Sequence, residues 1–211
     1  MLTPATQRAL ENLRDPGQLQ WYVIPLLALV IYVYAVEVER KNWNVVFAGL
    51  AFWGMDWLNE IANGLILHFN GHSALWTTPG ASAYIILVGL NVEICFMFSI
   101  AGIALTKMLP QDASQKVLGI PNRLLLAIAS SVFCVAVEVL LNQADMLIWE
   151  YSFWNFPNVW LIIVFGYLHF HIVAFWVHDM KRIASKVITV SVIYGLAAIA
   201  ALVFGVGLRW I

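Results

Sequence analysis

Asp56, Glu60 and Asn63 stand four and three residues apart inside one apolar stretch, and Glu138, Asn142 and Asp145 repeat that spacing inside another. On an α-helix, positions i, i+4 and i+7 share a face, so each stretch presents a column of carboxyl and amide groups. Lipid offers such groups no hydrogen bond, and a charge at the bilayer centre costs about 3 kcal/mol or more. Both columns are therefore expected to point into a bundle, toward each other. No intramembrane Lys or Arg supplies a counter-charge. A carboxyl group buried without a cation favours its neutral, protonated form, which is what a general acid needs. The chemistry implied is proton transfer, with Glu60 or Asp56 donating and Glu138 or Asp145 accepting.

These stretches belong to a longer correspondence. At an offset of 78 residues Glu60 falls on Glu138, Trp76 on Trp154, Pro79 on Pro157, Asn91 on His169 and Glu93 on His171. Each unit is an apolar helix-length run, an aromatic-rich loop, a proline and a second apolar run. Counted inward from the outer ends, Asn91 and His169 lie roughly 15–18 Å deep and Glu60 and Glu138 about 12–14 Å, in one layer. Neighbours two apart point roughly 200° apart on a regular helix, so one of Asn91 and Glu93, and one of His169 and His171, faces the site. Asn63, Asn91, Asn142 and His169 are the expected polar contacts of a substrate. Trp76, Trp149, Tyr151 and Trp154, in the loops above the carboxyl layer, are expected to shape the pocket and shield a cation.

The elements that position these residues follow from composition. The chain has 211 residues, of which 62% are apolar and 11% charged, with a mean hydropathy of +0.83. These values indicate an all-α polytopic membrane protein. The net charge of −1 says nothing about sidedness, and no basic stripe points to nucleic acid. Six runs are long enough to span as helices: about 20–38, 43–69, 81–107, 123–147, 158–178 and 186–209. Segments 43–107 and 121–185 are then parallel repeats of a helical hairpin. Arg40 and Lys41, then Lys107, Lys116 and Arg123, then Lys181, Arg182 and Lys186 fall in alternate loops, whereas 70–80 and 148–157 contain no basic residue. By the positive-inside rule both termini are extracytoplasmic, in a plasma or inner membrane. Arg8, Arg14 and Arg209 fall on the outer side.

Residues 1–19 form a separate amphipathic surface segment ahead of a single six-helix domain over 20–211. Thr3-Pro4 reads as a helix start, Ala5, Leu10 and Leu13 interleave with Arg8, Glu11 and Arg14, and Asp15-Pro16-Gly17 ends the helix. The N-terminus lacks the pattern of a cleaved signal peptide, so the first run is expected to remain as a span. Cys95 and Cys134 lie in apolar runs and read as small hydrophobes. His68 and His72 sit at the outer boundary, and His178-Asp179 near the cytoplasmic end, where solvation accounts for them.

Asp56-Trp57 and Glu60-Ile61 in the second run, followed by Gly89-Leu90-Asn91 at the opening of the third, resemble the membrane-integral terpene cyclases of meroterpenoid biosynthesis. In that family a short second span carries a Trp-Glu pair, and the third opens with Gly-Leu and an amide residue. The resemblance covers about a third of the chain. It implies protonation-driven cyclisation of an isoprenoid, with Glu60 or Asp56 as the acid.

The reading that results is an integral membrane enzyme performing acid–base chemistry, by cyclisation or isomerisation, on a lipophilic isoprenoid-like substrate entering from the bilayer. It needs no cofactor. A metal-dependent oxidoreductase is the alternative, with Glu60, Glu93, Glu138 and His169 or His171 as ligands from four helices, as in carboxylate-bridged dimetal bundles. The Glu-x-x-His spacing of such sites is absent. A transporter suits intramembrane acids and histidines, but the polar groups crowd the outer half and the last run offers only Thr189, Ser191 and Tyr194. An accessory subunit, packing through Gly195, Gly205 and Gly207 against a partner or a copy of itself, is the fourth reading.

Overall fold

A computed structural model describes residues 1–80 and 82–211. Seven helices follow in order: α1 (Pro4–Glu11), α2 (Val23–Glu39), α3 (Trp43–Asn70), α4 (Val92–Lys107), α5 (Asn122–Gln143), α6 (Val159–Asp179) and α7 (Ile183–Gly207). Six two- or three-residue strands lie between them: β1 (Trp76–Thr77), β2 (Ile85–Leu87), β3 (Leu90–Asn91), β4 (Lys116–Val117), β5 (Ile120–Pro121) and β6 (Ile148–Trp149). Among the described residues three helices are long and apolar enough to cross a membrane: α5 with 22 residues, α6 with 21 and α7 with 25.

Local chemistry sets the helix ends. The Thr3 side chain accepts from the Thr6 amide at 3.3 Å, and Pro4 occupies the first turn of α1, where its missing N–H costs nothing. Gly71 closes α3 in the left-handed conformation, φ 60°, and donates to Leu67 O at 2.9 Å. Asn91 opens α4 by accepting from the Ile94 amide at 2.8 Å. Inside α6 and α7 the winding widens to π over Ile162–Leu168 and Ala201–Gly207.

α3 is the central post. It packs against α4, α6, α7 and, more lightly, α2, whereas α5 lies along α6. The α3–α4 approach is very close, because a Cβ on Gly102 would stand 2.8 Å from Gly49 O and 3.0 Å from the Phe52 Cβ. At the end carrying the basic loops, ionic ties fix neighbouring helices. Lys107 Nζ donates to Glu37 Oε1 at 2.6 Å, joining α4 to α2. Arg123 grips Asp179 through Nε and Nη2 at 2.8 and 2.9 Å, joining α5 to α6. Lys186 Nζ donates to Val177 O at 2.6 Å, capping α6. At the other end β1 pairs antiparallel with β6, Trp76 opposite Trp149, and so links the loop after α3 to the loop after α5.

Three expectations need correction. The third run does not enter the bundle as a helix at its predicted start; residue 81 lies outside the described residues, and 85–91 fold back as the β2–β3 hairpin. Gly89 forces this course, since a Cβ there would meet Trp76 Nε1 at 2.5 Å and Asn63 Nδ2 at 2.6 Å. Asn91 and Glu93 therefore sit at the mouth of α4 and not in a mid-bundle layer with Glu60. Finally, α5 ends at Gln143, which leaves Asp145 exposed in a left-handed turn at φ 56° instead of on the polar column with Glu138.

The α3–α4 contact yields a direct test. Gly102→Ala should lower stability by about 1–3 kcal/mol, as overpacking does, read as a drop in the denaturant midpoint of the detergent-solubilised protein. Gly195→Ala, where a Cβ would meet nothing within 4 Å, should leave that midpoint unchanged.

Candidate functional site

The polar column of α3 forms as its spacing predicts. Asp56 and Glu60 are 2% and 4% exposed, and Asn63 is fully buried. Asn63 works on the loop that follows its own helix. Its Oδ1 accepts from the Leu75 and Trp76 amides at 2.8 and 3.4 Å, and its Nδ2 donates to Trp76 O at 2.8 Å. The clamp turns the Trp76 indole inward, where Nε1 donates to Glu60 Oε1 at 2.9 Å. Trp154, brought over by the loop after α5, stacks on Trp76 at 5.9 Å and 22°.

The second carboxyl comes from α5. Glu138 is half-buried, and its Oε1 accepts from the Tyr167 hydroxyl at 2.7 Å. Tyr167 lies in the π-wound turn of α6 and stacks on Phe98 of α4 at 5.8 Å. On the same turn Gly166 O accepts from Asn59 Nδ2 of α3 at 3.5 Å. Asp56, Glu60, Glu138, Trp76, Trp154 and Tyr167 all line one cavity of about 20 Å³, room for roughly one water. Asp56 Oδ2 and Glu60 Oε2 are buried without a hydrogen-bond partner among the described residues. Neither carboxyl has a cation on the cavity wall.

The remaining candidates go elsewhere. Asn142 donates to Leu147 O at 2.9 Å and finishes α5. Glu93 pins the mouth of α4 by accepting from the Tyr22 hydroxyl at 2.5 Å, Ser82 Oγ at 2.8 Å and the Ala83 amide at 2.7 Å. His169 is half-buried beside the Phe170 ring at 4.5 Å and does not line the carboxyl cavity. His171 is fully buried, its Nδ1 within 3.0 Å of Ser131 Oγ and 3.1 Å of Tyr167 O, with its ring against Phe52. Glu60, Glu93, Glu138, His169 and His171 thus do not converge as a ligand set, and among the described residues no three His, Cys, Asp or Glu side chains are grouped to hold a metal ion.

Trp149 is buried in β6, and the Tyr151 hydroxyl donates to Ser73 O at 2.9 Å. Burial, and then the adjacent Glu150 charge, push the Tyr151 phenol above its ordinary range, so it remains a neutral donor. Over these loops lies α1. Thr3 Oγ1 donates to Glu150 Oε1 at 2.6 Å, Thr6 Oγ1 meets Ser73 Oγ at 3.0 Å, and the Arg14 amide donates to Ile85 O at 2.9 Å. The N-terminal segment is therefore a cover locked onto the loops that follow α3 and α5. Spacing alone singles out neither Tyr167 nor Asn59; an intramembrane Gly-Tyr pair facing the second carboxyl run was the available signal.

Residues 3–206 match a family described as an uncharacterized membrane protein family. A protein of Archaeoglobus fulgidus, named as an uncharacterized protein, is 50% identical over 211 residues, covering 100% of both chains. Another uncharacterized protein of that organism is 37% identical over 55 residues, 26% of this chain and 98% of its own length. No solved structure matches.

The Asn63 clamp predicts a local and a global effect. Asn63→Leu strands the Leu75 amide and Trp76 carbonyl and should cost about 1–3 kcal/mol. Hydrogen–deuterium exchange should accelerate at residues 75–77 well before the helices open.

Proposed function

The chain belongs to this family of membrane proteins, and we propose that it is an integral membrane enzyme performing acid–base chemistry, cyclisation or isomerisation, on a lipophilic isoprenoid-like substrate. One observation carries the reading: among the described residues, Asp56 and Glu60, each with a buried carboxyl oxygen that has no partner, line a cavity that also receives Glu138 and no cation. Acidic groups held so close are least costly when they share a proton, and a shared proton is one that can be handed to a substrate.

In this reading α2, α3 and α4 cross the bilayer together with α5, α6 and α7, six spans in all. The ends tied by Lys107, Arg123 and Lys186 face the cytoplasm, and both termini lie outside. The hairpins 43–107 and 121–185 are the two halves of the repeat, the first contributing Asp56 and Glu60 and the second Glu138, and the β1–β6 pairing supports that view. Glu60, or Asp56 one turn away, donates a proton to the substrate. The aromatic faces of Trp76, Trp154 and Phe98 stabilise the positive charge that forms. Glu138, steadied by Tyr167, takes a proton from the cation to release a neutral product. Transfer of that proton back across the cavity restores the starting state, so an isomerisation consumes no net proton. The likeness of Asp56-Trp57, Glu60 and Gly89-Leu90-Asn91 to terpene cyclases supports cyclisation as the reaction type.

Glu60→Gln tests the assignment because it keeps shape and removes the acidic proton. Turnover of neutral prenyl alkenes and epoxides, followed by gas chromatography and mass spectrometry, should fall by about 10²–10⁴-fold with an unchanged melting temperature. Wild-type turnover in this variant would overturn the reading.

A further inference from the structure

The carboxyl cavity, at about 20 Å³, is too small for an organic substrate. Beside it, between α4 and α5, lies a second cavity of about 120 Å³. The two share Ile94, Phe98, Leu147, Glu138 and Tyr167, so they are chambers separated by a single wall of side chains. The larger chamber is bounded on one side by Met97 and Ala101 of α4 and on the other by Phe133, Cys134 and Val137 of α5. Phe133 and Met97 are 65% and 43% exposed, which puts the mouth of the chamber on an apolar outer face of the bundle. The gap exists because α5 packs along α6 and α4 packs on α3 and α2, so α4 and α5 make little contact with each other.

We infer that this chamber is a lateral binding recess for the terminal hydrocarbon unit of a neutral prenyl chain, which enters tail first from the bilayer between α4 and α5. The inference rests on the acid–base reading above and adds to it the substrate's charge and direction of approach. Three features favour this occupant. First, an apolar cavity of roughly 150 Å³ holds a benzene molecule, so the recess suits a single branched five-carbon unit and not a whole chain; the rest of the chain stays in lipid along the mouth. Second, the oxygen-bearing groups that line it, Glu138 and Tyr167, stand at the wall shared with the carboxyl cavity. A terminal double bond or epoxide seated there would meet the proton donors with its reactive end. Third, no Lys, Arg or His lines either chamber among the described residues, so a diphosphate group at the reacting end would have nothing to neutralise it. Activation by loss of diphosphate does not suit such a site; protonation of a neutral terminus does.

The test uses the full-length protein in lipid nanodiscs and geranylgeraniol carrying a diazirine at its hydrocarbon terminus. After irradiation, peptide mass spectrometry should find the label on residues 97–101 and 133–141. Unlabelled geranylgeraniol should compete it away. Ala101→Trp fills the recess from α4 and should reduce labelling about tenfold or more. Val137→Phe fills it from α5 and serves if the first variant does not fold, with melting temperature checked for both. Label spread along α7, label indifferent to a folded filling variant, or label that no prenol displaces would each overturn the recess. Failure here is separable from failure of the acid reading. An inactive Glu60→Gln with label elsewhere removes the recess alone, whereas label in the recess with an active Glu60→Gln removes the acid alone.

Discussion

Asn63 lies fully buried on α3, and its amide pairs with two N–H groups and one carbonyl of a loop that would otherwise enter the bundle with unmet backbone groups. An unpaired buried backbone group costs about 1–3 kcal/mol, so the clamp is a condition for folding the loop inward at all. Everything at this end of the bundle follows from it. The loop carries β1, which pairs with β6, and Trp76, whose indole reaches Glu60 and stacks on Trp154. Gly89 is required because the same indole and the Asn63 amide occupy the space that a side chain there would need. The cover formed by α1 then seats on Ser73 and Glu150, within or beside the clamped loops.

The protein buries carboxyl groups in two contrasting ways. Glu37 is 1% exposed, yet it receives the Lys107 ammonium at 2.6 Å and the Asn42 amide at 2.9 Å. That is a compensated charge, and its consequence is a fixed junction between α2 and α4. Glu60 is buried to a similar depth but receives one indole N–H, and Asp56 keeps an oxygen with no partner. The first arrangement makes structure. The second leaves capacity for a proton or a ligand, which makes that cavity the candidate site.

Much of this was legible in the sequence where one element carries the whole signal. The i, i+4, i+7 spacing placed Asp56, Glu60 and Asn63 on one face because α3 runs unbroken from Trp43 to Asn70. The same spacing misplaces Asp145, because α5 stops short of it and nothing in the apolar run before it marks that stop. The segment Ile85–Leu90 reads as helix for a related reason: a short run of Ile, Leu and Val has no period that separates strand from helix. The hairpins entering α4 and α5 do share a signature, a Gly within three residues of the Asn at Asn91 and Asn122, at a spacing different from the 78-residue offset. Tyr167 was hidden more deeply. Its reach to Glu138 depends on the π winding of α6, which shifts the helix face in a way that residue spacing does not encode.

Glu60 and Glu138 correspond at the 78-residue offset in sequence but differ in their surroundings, and the difference gives the proposed chemistry a direction. An indole N–H can only donate, so Trp76 holds Glu60 Oε1 as an acceptor and leaves a proton to Oε2, which has no partner among the described residues. A phenol both donates and accepts, so Tyr167 can stay bonded to Glu138 whether that carboxyl carries a proton or not. Under the proposed chemistry this suits Glu60 to the giving side and Glu138 to the receiving side. Glu138 is also the carboxyl that faces the apolar recess between α4 and α5. A cation formed against Glu60 would sit between that donor and the receiving base, with the ring of Phe98 forming part of both chamber walls. The asymmetry comes from one helix: α6 supplies the phenol to α5, whereas α3 draws its indole from its own following loop.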